Sequence, residues 1–443
     1  MKHIFTRTAM ATSAIALTLS LAACGGGDSS GGGSAEAPAE LGSAPVELKM
    51  SAWNIKSTPE FQALADAFHE EHPNVTVTVT DYPAKDYDTL LTTDLSSGKG
   101  PDIFPVKNMR KFNYYQENDQ MTDLTELAKP LVGDENISLD YFKVDDAYFG
   151  LPFRQDNEVI YFNKSLFDKA GVKYPDGNWT WDDYVKLSKE LTEKLAAAGE
   201  TAKGSYLHVW PIMQGFALAQ TDGADPFTGN LDYLKPYYET ALKLQNDGSQ
   251  ESFSTAQSQN LTYQAQFGTE KAAMMPMGTW YIATLIQQQA NGDAHKFEWG
   301  MAPAPQKDSS TFAEPRTYGM STPLAINANI DEAKKGAAIE FVKFASSEKA
   351  AMVLAEKGIV PAYLSDAVAD KLFSLEGVPQ DEVSRKAIAG QKVGPEFPID
   401  PETATLTQIL GDYHTAIMTG DQSIDDALKA AKADLEAQGV VRK

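Results

Sequence analysis

The sequence predicts an α/β protein of two domains. Three observations carry this reading. From Val46 to Val106 the chain alternates between strand and helix patterns, and a second succession of the same kind begins near Glu158. In addition, the roughly 400 residues available exceed what one hydrophobic core organises.

Taken from the start, Lys2 and Arg7 are basic, and Ala9 to Ala23 is an apolar run shorter than the roughly 20 residues that span a bilayer. The pattern predicts a secretory signal over residues 1–23. It ends in Leu21-Ala22-Ala23-Cys24, which resembles the lipobox of bacterial lipoproteins, where the thiol receives a diacylglycerol and the peptide is cut before the cysteine. Cys24 is the only cysteine, so it closes no intramolecular disulfide, and a lipid gives the thiol a purpose. With about 0.8 kcal/mol per buried methylene, two acyl chains hold firmly, and the expected location is the outer face of the cell membrane. From Gly25 to Pro45 glycine, serine and small residues show no apolar periodicity. Residues 24–45 are therefore expected to be a lipidated cysteine and flexible tether, reaching about 25 Å.

Val46, Leu48, Met50 and Ala52 alternate with polar residues up to Trp53-Asn54, as a half-buried strand requires. Thr58 before Pro59 reads as a helix N-cap, and Phe61, Leu64 and Phe68 recur at helical spacing until Pro73. Val75, Val77 and Val79 form a second strand, Tyr87, Leu90, Leu91 and Leu95 a second helix, and Asp102 to Val106 a third strand. Strand, helix, strand, helix, strand implies a parallel sheet with right-handed crossovers. Ligands of such sheets bind outside the carboxyl ends of the strands, so Trp53-Asn54, Asp81-Tyr82 and Lys107-Asn108 gather along one edge. The second succession has a strand at VIYFN, a short helix at KSLFDKAG, and a longer one in NWTWDDYVKLSKELTEKL, with Thr180 and Asp183 spaced as a capping box. KAAMMPM, residues 271–277, reads as a buried strand running into Gly278-Thr279-Trp280 and a further helix.

Composition narrows the function. The formal charge is -23 and no basic run interrupts it, which argues against nucleic acid as a partner. His69 and His72 stand three apart, but FHEEHP is neither HExxH nor its inverse. There is no G-x-S-x-G elbow, no P-loop and no EF-hand loop. No catalytic residue, metal or cofactor is expected. The acidic doublets Asp145-Asp146, Asp182-Asp183 and Asp425-Asp426 are too common among so many carboxylates to mark a glycosidase pair.

HPNVTVTV, GKGPDIF, GLPFRQDNEVIYFNKSLFDKAGV, NWTWDDYVKLSKEL, FGTEKAAMMPMGTWYI and FVKFASSEKAAMVLAEKGIVPA, in this order, resemble the serial motifs of the family 1 extracellular solute-binding proteins. These are the carbohydrate receptors of ATP-binding-cassette importers, related to maltose-binding protein. The resemblance runs from Val46 to DDALKAAKADLE near the C-terminus. It implies the two-lobe, type II periplasmic-binding-protein-like fold, with three hinge segments near Arg154 to Asn157, Tyr318 to Leu324 and Ser384 to Gln391. Lobe 1 would then be residues 46–154 plus 325–385, and lobe 2 residues 157–318 plus 388–443. It further implies a monomeric, non-enzymatic receptor that closes over a sugar, most simply an oligosaccharide, and presents it to a membrane permease.

A sugar offers apolar ring faces and rings of hydroxyls, so its site needs aromatic platforms and planar polar groups. Trp53, ending the first strand, and Trp280, in the matched GTW, are expected platforms, with Trp210 in LHVWPIMQGFALAQTDG a third. Trp179, Trp181 and Trp299 are expected to pack structurally. Asn54, Asp102, Lys107, Arg154, Gln155, Asp156, Arg316 and Tyr318 fall on cleft-edge or crossing positions as polar contacts. Arg154-Gln155-Asp156 departs from the maltose-binding relatives, whose crossing is less polar there, and points to a more polar ligand. Two alternatives remain open: the same architecture serving a peptide, polyamine or polyol phosphate, and a surface glycosidase with two carboxylates across its cleft at roughly 5 to 9.5 Å.

Overall fold

The computed structural model describes residues 41–56 and 58–442. Cys24, the signal 1–23 and the tether as far as residue 40 lie outside the described residues. The last tether residues are held: the Asn74 side-chain amide donates to the carbonyls of Gly42 (2.9 Å) and Ala44 (3.2 Å), and Leu41 packs against the first core. Leu41, Gly42 and Ala44 thus already touch the body ahead of Val46.

Eleven strands are present among the described residues: β1 Val46–Trp53, β2 Val75–Tyr82, β3 Ile103–Pro105, β4 Lys143–Val144, β5 Ala147–Tyr148, β6 Leu151–Asn163, β7 Lys203–Ser205, β8 Ala272–Gly278, β9 Trp299–Ala302, β10 Arg316–Ile326 and β11 Lys392–Pro395. β4 and β5 form a small hairpin; the others share one sheet in the order β2-β1-β3-β10-β6-β8-β7, with β11 beside β10 and β9 beside β6. As the alternation implied, β1 runs parallel to β2 and β3. The sheet as a whole is not parallel, because β10 lies antiparallel to both β3 and β6.

β6 and β10 are the frame. Leu324–Ile326 of β10 pair with β3, and Arg316–Gly319 at its other end pair with β11. Likewise β6 pairs through Leu151 and Pro152 with the first half of the sheet, and through Glu158–Asn163 with β8 and β9 in the second. Between these ends Arg154–Asn157 stand opposite Gly319–Thr322. The register slips between Thr322 and Pro323, where proline supplies no amide hydrogen to the ladder. A third segment returns alongside: Gln155 N donates to Val360 O and Ala362 N to Phe153 O. The expected third hinge, Ser384 to Gln391, falls in and just beyond the helix Glu382–Ala389, whose Ser384 hydroxyl bonds Met301 and whose neighbour Gln391 accepts from Ala304 N.

Helices form where the apolar spacing says they should. In Trp181–Ala197 the buried positions 181, 184, 185, 188, 191 and 195 trace one face, and the Thr180–Asp183 capping box is realised. One cap differs from expectation. Thr58 does not cap Glu60–Glu71; its hydroxyl donates back to the carbonyls of Trp53 and Asn54, closing the turn that leaves β1. Three cores result. The first gathers Leu48, Met50, Phe61, Phe104 and Phe341, the second Trp181, Phe216, Tyr237 and Leu410, and the third Tyr161, Tyr281, Leu285 and Phe373. Trp179, Trp181 and Trp299 are each buried in them. Among the described residues no helix is long and apolar enough to cross a membrane.

β7 reaches the sheet only because Gly204 has no side chain: a Cβ there would stand 1.8 Å from the Ser188 carbonyl oxygen, within the helix Trp181–Ala197. Gly204→Ala is expected to destabilise the fold by about 1–3 kcal/mol through the forced backbone shift. A urea midpoint unchanged from wild type would show that the strand and helix part freely.

Candidate functional site

Alternation along β6 decides which residues of the crossing can act together. Side chains two apart share a face of a strand, so Arg154, Asp156 and Glu158 point one way and Gln155 and Asn157 the other. Contacts agree. Arg154 donates from Nη1 to Glu60 Oε1 at 2.7 Å, and its Nε lies 3.0 Å from Asp156 Oδ2. Gln155 instead accepts from Ser321 at 2.6 Å, and Asn157 donates to Ala387 O. Two carboxylates thus flank one guanidinium in a region closed to water. Burial pushes Glu60 and Asp156 above the ordinary carboxylate range, and the Arg154 charge opposes this.

Beside this face lies a cavity of about 380 Å³. Asp156, Asn157 and Glu158 of β6 and Tyr318, Gly319 and Met320 of β10 form its back. One side comes from the first half of the sheet: Asp88, and Lys107, Asn108 and Arg110 in the loop after β3. The other comes from Trp210, Pro211, Ile212 and Trp280, and Glu396 with Phe397, just after β11, closes the end.

The aromatic wall is placed by backbone. Thr279, fully buried, donates its amide to Asn157 O, so β8 ends locked against β6 and the next residue, Trp280, opens onto the cavity. Its ring lies over Gly278, where a Cβ would come within 1.8 Å of the indole. Trp210 stands 6.3 Å from Trp280 at 56°, backed by His208 at 4.4 Å and Tyr263 at 5.8 Å. Burial pulls His208 down to about 4, so at neutral pH it is an uncharged support. Tyr318 is set by another missing side chain: its ring occupies the space a Cβ on Gly215 would need, and it packs edge-on to Phe216.

Of the expected contacts, the structure brings Lys107, Asp156, Trp210, Trp280 and Tyr318 together around the cavity. Trp53 is only 5% exposed, held edge-on by Phe61 and Tyr87 under Lys107 and Arg154, and does not line it. Asn54 turns the chain at the end of β1 with φ of 52°. Asp102 sits at the amino end of β3, the far edge, accepting from Lys49 N and pairing with Lys334 at 2.9 Å. Arg154 is spent on Glu60 and Asp156, Gln155 faces away, and Arg316 pairs with Asp222. Among the described residues no group of three or more His, Cys, Asp and Glu side chains is arranged to hold a metal ion.

Asn108 belongs to the Lys107-Asn108 loop expected at this edge, whereas the sequence pattern does not single out Asp88, Arg110, Glu158, Glu396 or Phe397. Glu158 had a signal, two residues beyond Asp156 on the same strand face; Glu396 had none, lying far away in sequence. The Arg110 guanidinium covers the Phe397 ring at 4.9 Å. Glu158 is 3% exposed, and its Oε2 has no hydrogen-bond partner. Burial first, then the charges of Glu396 and Asp156, push its carboxyl well above the ordinary value of 4.5. Burial also raises Glu396, against the pull of Arg110.

A carboxyl raised in the folded state keeps a proton that the unfolded chain releases. The associated stability is present below the ordinary carboxylate range and is lost as pH rises from there toward the raised value. Glu158→Gln, which cannot ionise, should therefore match or trail wild type in thermal midpoint near about pH 4 and exceed it near about pH 8. An offset independent of pH would show that Glu158 ionises without penalty.

Known proteins resemble this chain in sequence and fold. The family described as bacterial extracellular solute-binding protein matches residues 52–352. A multiple sugar-binding protein of Streptococcus mutans is 28% identical over 301 residues, covering 64% of this chain and 67% of the relative. Among solved structures, a sugar transporter from Rhizobium etli in an open conformation superposes with a TM-score of 0.77 and 31% identity, over 88% of this chain and 99% of that one. An ABC substrate-binding protein from Listeria monocytogenes, in complex with cycloalternan, gives 0.71 at 20% identity over 90% of this chain and 100% of that one. The latter likeness is one of fold. The two-lobe, type II architecture expected from the sequence is thus the one present.

Proposed function

The chain belongs to the bacterial extracellular solute-binding proteins, and on that premise we propose that it captures a carbohydrate, an oligosaccharide in the simplest case, and hands it to the permease of an ABC importer. The observation that carries this is the cavity itself. Two indoles 6.3 Å apart face carboxylates, a guanidinium and a lysine, and the groups come from both halves of a sheet joined by β6 and β10. Aromatic faces receive sugar rings, and charged planar groups bond hydroxyls in pairs. The sugar-binding relatives from Streptococcus and Rhizobium support the same ligand class.

Mechanism follows from the frame. Arg154–Asn157 and Tyr318–Leu324 act as two hinges, with the third near Ser384 to Gln391, which bond to Met301 and Ala304. A ligand that touches groups of both lobes binds the closed state better than the open one and so shifts the population toward closure. Lys107 and Arg110 on one side and Trp210 and Trp280 on the other are the contacts closure brings to bear on it. The closed form is the one the permease reads.

Trp210→Ala and Trp280→Ala should each weaken sugar binding severalfold, at roughly 0.5 to 2 kcal/mol per lost face, with folding retained. Calorimetry on both variants tests this; unchanged affinity in both would move the site elsewhere. Prolonged incubation should return the sugar intact. Cleavage products would replace the receptor with the glycosidase reading, for which Glu158 and Glu396 would be the candidate pair.

The reading extends to location. The chain works outside the cytoplasmic membrane as a monomer, held by lipid on Cys24. Cys24→Ala should abolish acyl labelling and release the protein or leave it unprocessed; normal processing with membrane retention, and no label on wild type, would refute the anchor.

A further inference from the structure

We propose that the ligand bears a positively charged nitrogen, an amine-carrying sugar, seated between Glu158 and Glu396 and against the faces of Trp210 and Trp280. The inference rests on the carbohydrate reading above and narrows its class.

The first argument is charge. Four carboxylates line the cavity, those of Asp88, Asp156, Glu158 and Glu396, against two cationic groups, Lys107 and Arg110. Arg154 does not redress this balance, because it stands behind the lining and already serves Glu60 and Asp156. Arg110 lies on Phe397 and acts on Glu396. Lys107 extends over Trp53, 5.8 Å from the ring centroid.

The second argument is independent of any tally. Glu158 borders the cavity, is 3% exposed, and offers an Oε2 to which nothing in the protein donates. No cation moderates it: burial, Glu396 and Asp156 all act against its charge. Leaving a buried polar atom unsatisfied is unfavourable, and an uncompensated buried charge far more so. Burial and the neighbouring carboxylates therefore oppose the ionisation of Glu158. A sugar hydroxyl would give Oε2 one donor and no countercharge. An ammonium group gives up to three donors and the countercharge that Glu158 lacks, while indole faces attract the same cation.

Calorimetry on the purified protein would compare glucose, galactose, mannose and cellobiose with glucosamine, galactosamine, mannosamine and the glucosamine disaccharide, plus putrescine as a sugar-free amine. At about pH 6.5 the amines are charged. At least one amino sugar should bind about tenfold or more tightly than its hydroxyl counterpart, the difference expected between a charged and a neutral hydrogen bond. Binding should also release a proton, seen as heat that varies with the buffer, as Glu158 ionises among Asp88, Lys107, Arg110, Asp156, Tyr318 and Glu396. Glu158→Gln should erase the preference, amino-sugar affinity falling about tenfold to that of the hydroxyl counterpart. Glu396→Gln, at a partly exposed position, gives the same readout should the buried variant fail to fold. Neutral sugars binding as well as their amino counterparts would overturn this inference and leave the carbohydrate reading standing. Putrescine binding as tightly as any amino sugar would overturn the carbohydrate reading, and no binding of either kind would overturn both.

Discussion

The rest of the structure depends on one guanidinium. Arg154 lies where β6 passes from one half of the sheet to the other, and it is the cation for two buried carboxylates, Glu60 at the start of a first-half helix and Asp156 on its own strand. Removing it would leave both carboxylates buried without compensation, a loss on the order of 3–5 kcal/mol. Asp156 in turn meets Thr279, the residue before Trp280. A chain of polar contacts thus runs from Glu60 through the crossing to the aromatic wall. The same charge touches both the first-half helix, through Glu60, and the residue before the indole, through Asp156.

This explains why the crossing is polar where an apolar one would pack as well. An apolar Arg154 position would satisfy the core but leave nothing to orient Asp156 toward the cavity. It also explains the division of labour along β6. Arg154 and Asp156 balance each other, and the next side chain on that face, Glu158, has no such partner. The strand moves within four residues from a neutralised interior to an unneutralised one. Ligand chemistry enters at that transition.

Local patterns were legible wherever one element carries its own signal. β1 and β2 follow from alternation, the helix at Trp181 from its capping box and apolar stripe, and Trp280 from its place at the end of a buried strand. What failed to show was anything assembled by pairing distant segments. Glu396 and Arg110 line the same cavity although about two thirds of the chain separates them. Trp53, at the carboxyl edge as expected, is covered because Lys107 and Arg154 lie over it, which no single-strand pattern reveals. Thr58 looked like a cap because a threonine before proline suits one; here its hydroxyl donates to the carbonyls ending β1 and accepts no amide hydrogen from the helix. Gln155 illustrates a simpler lesson: alternation turns it away from the cavity and onto Ser321.

Gly278 is the buried last residue of β8, and the indole of Trp280 folds back onto it. Because that ring is seated by backbone rather than by a ligand, its torsional freedom is surrendered when the chain folds. Immobilising a free aromatic side chain at the moment of association would otherwise subtract roughly 0.5–1.5 kcal/mol from the affinity. A missing methyl group on one side of the strand therefore makes the opposite party's arrival entropically easier, without ever touching it.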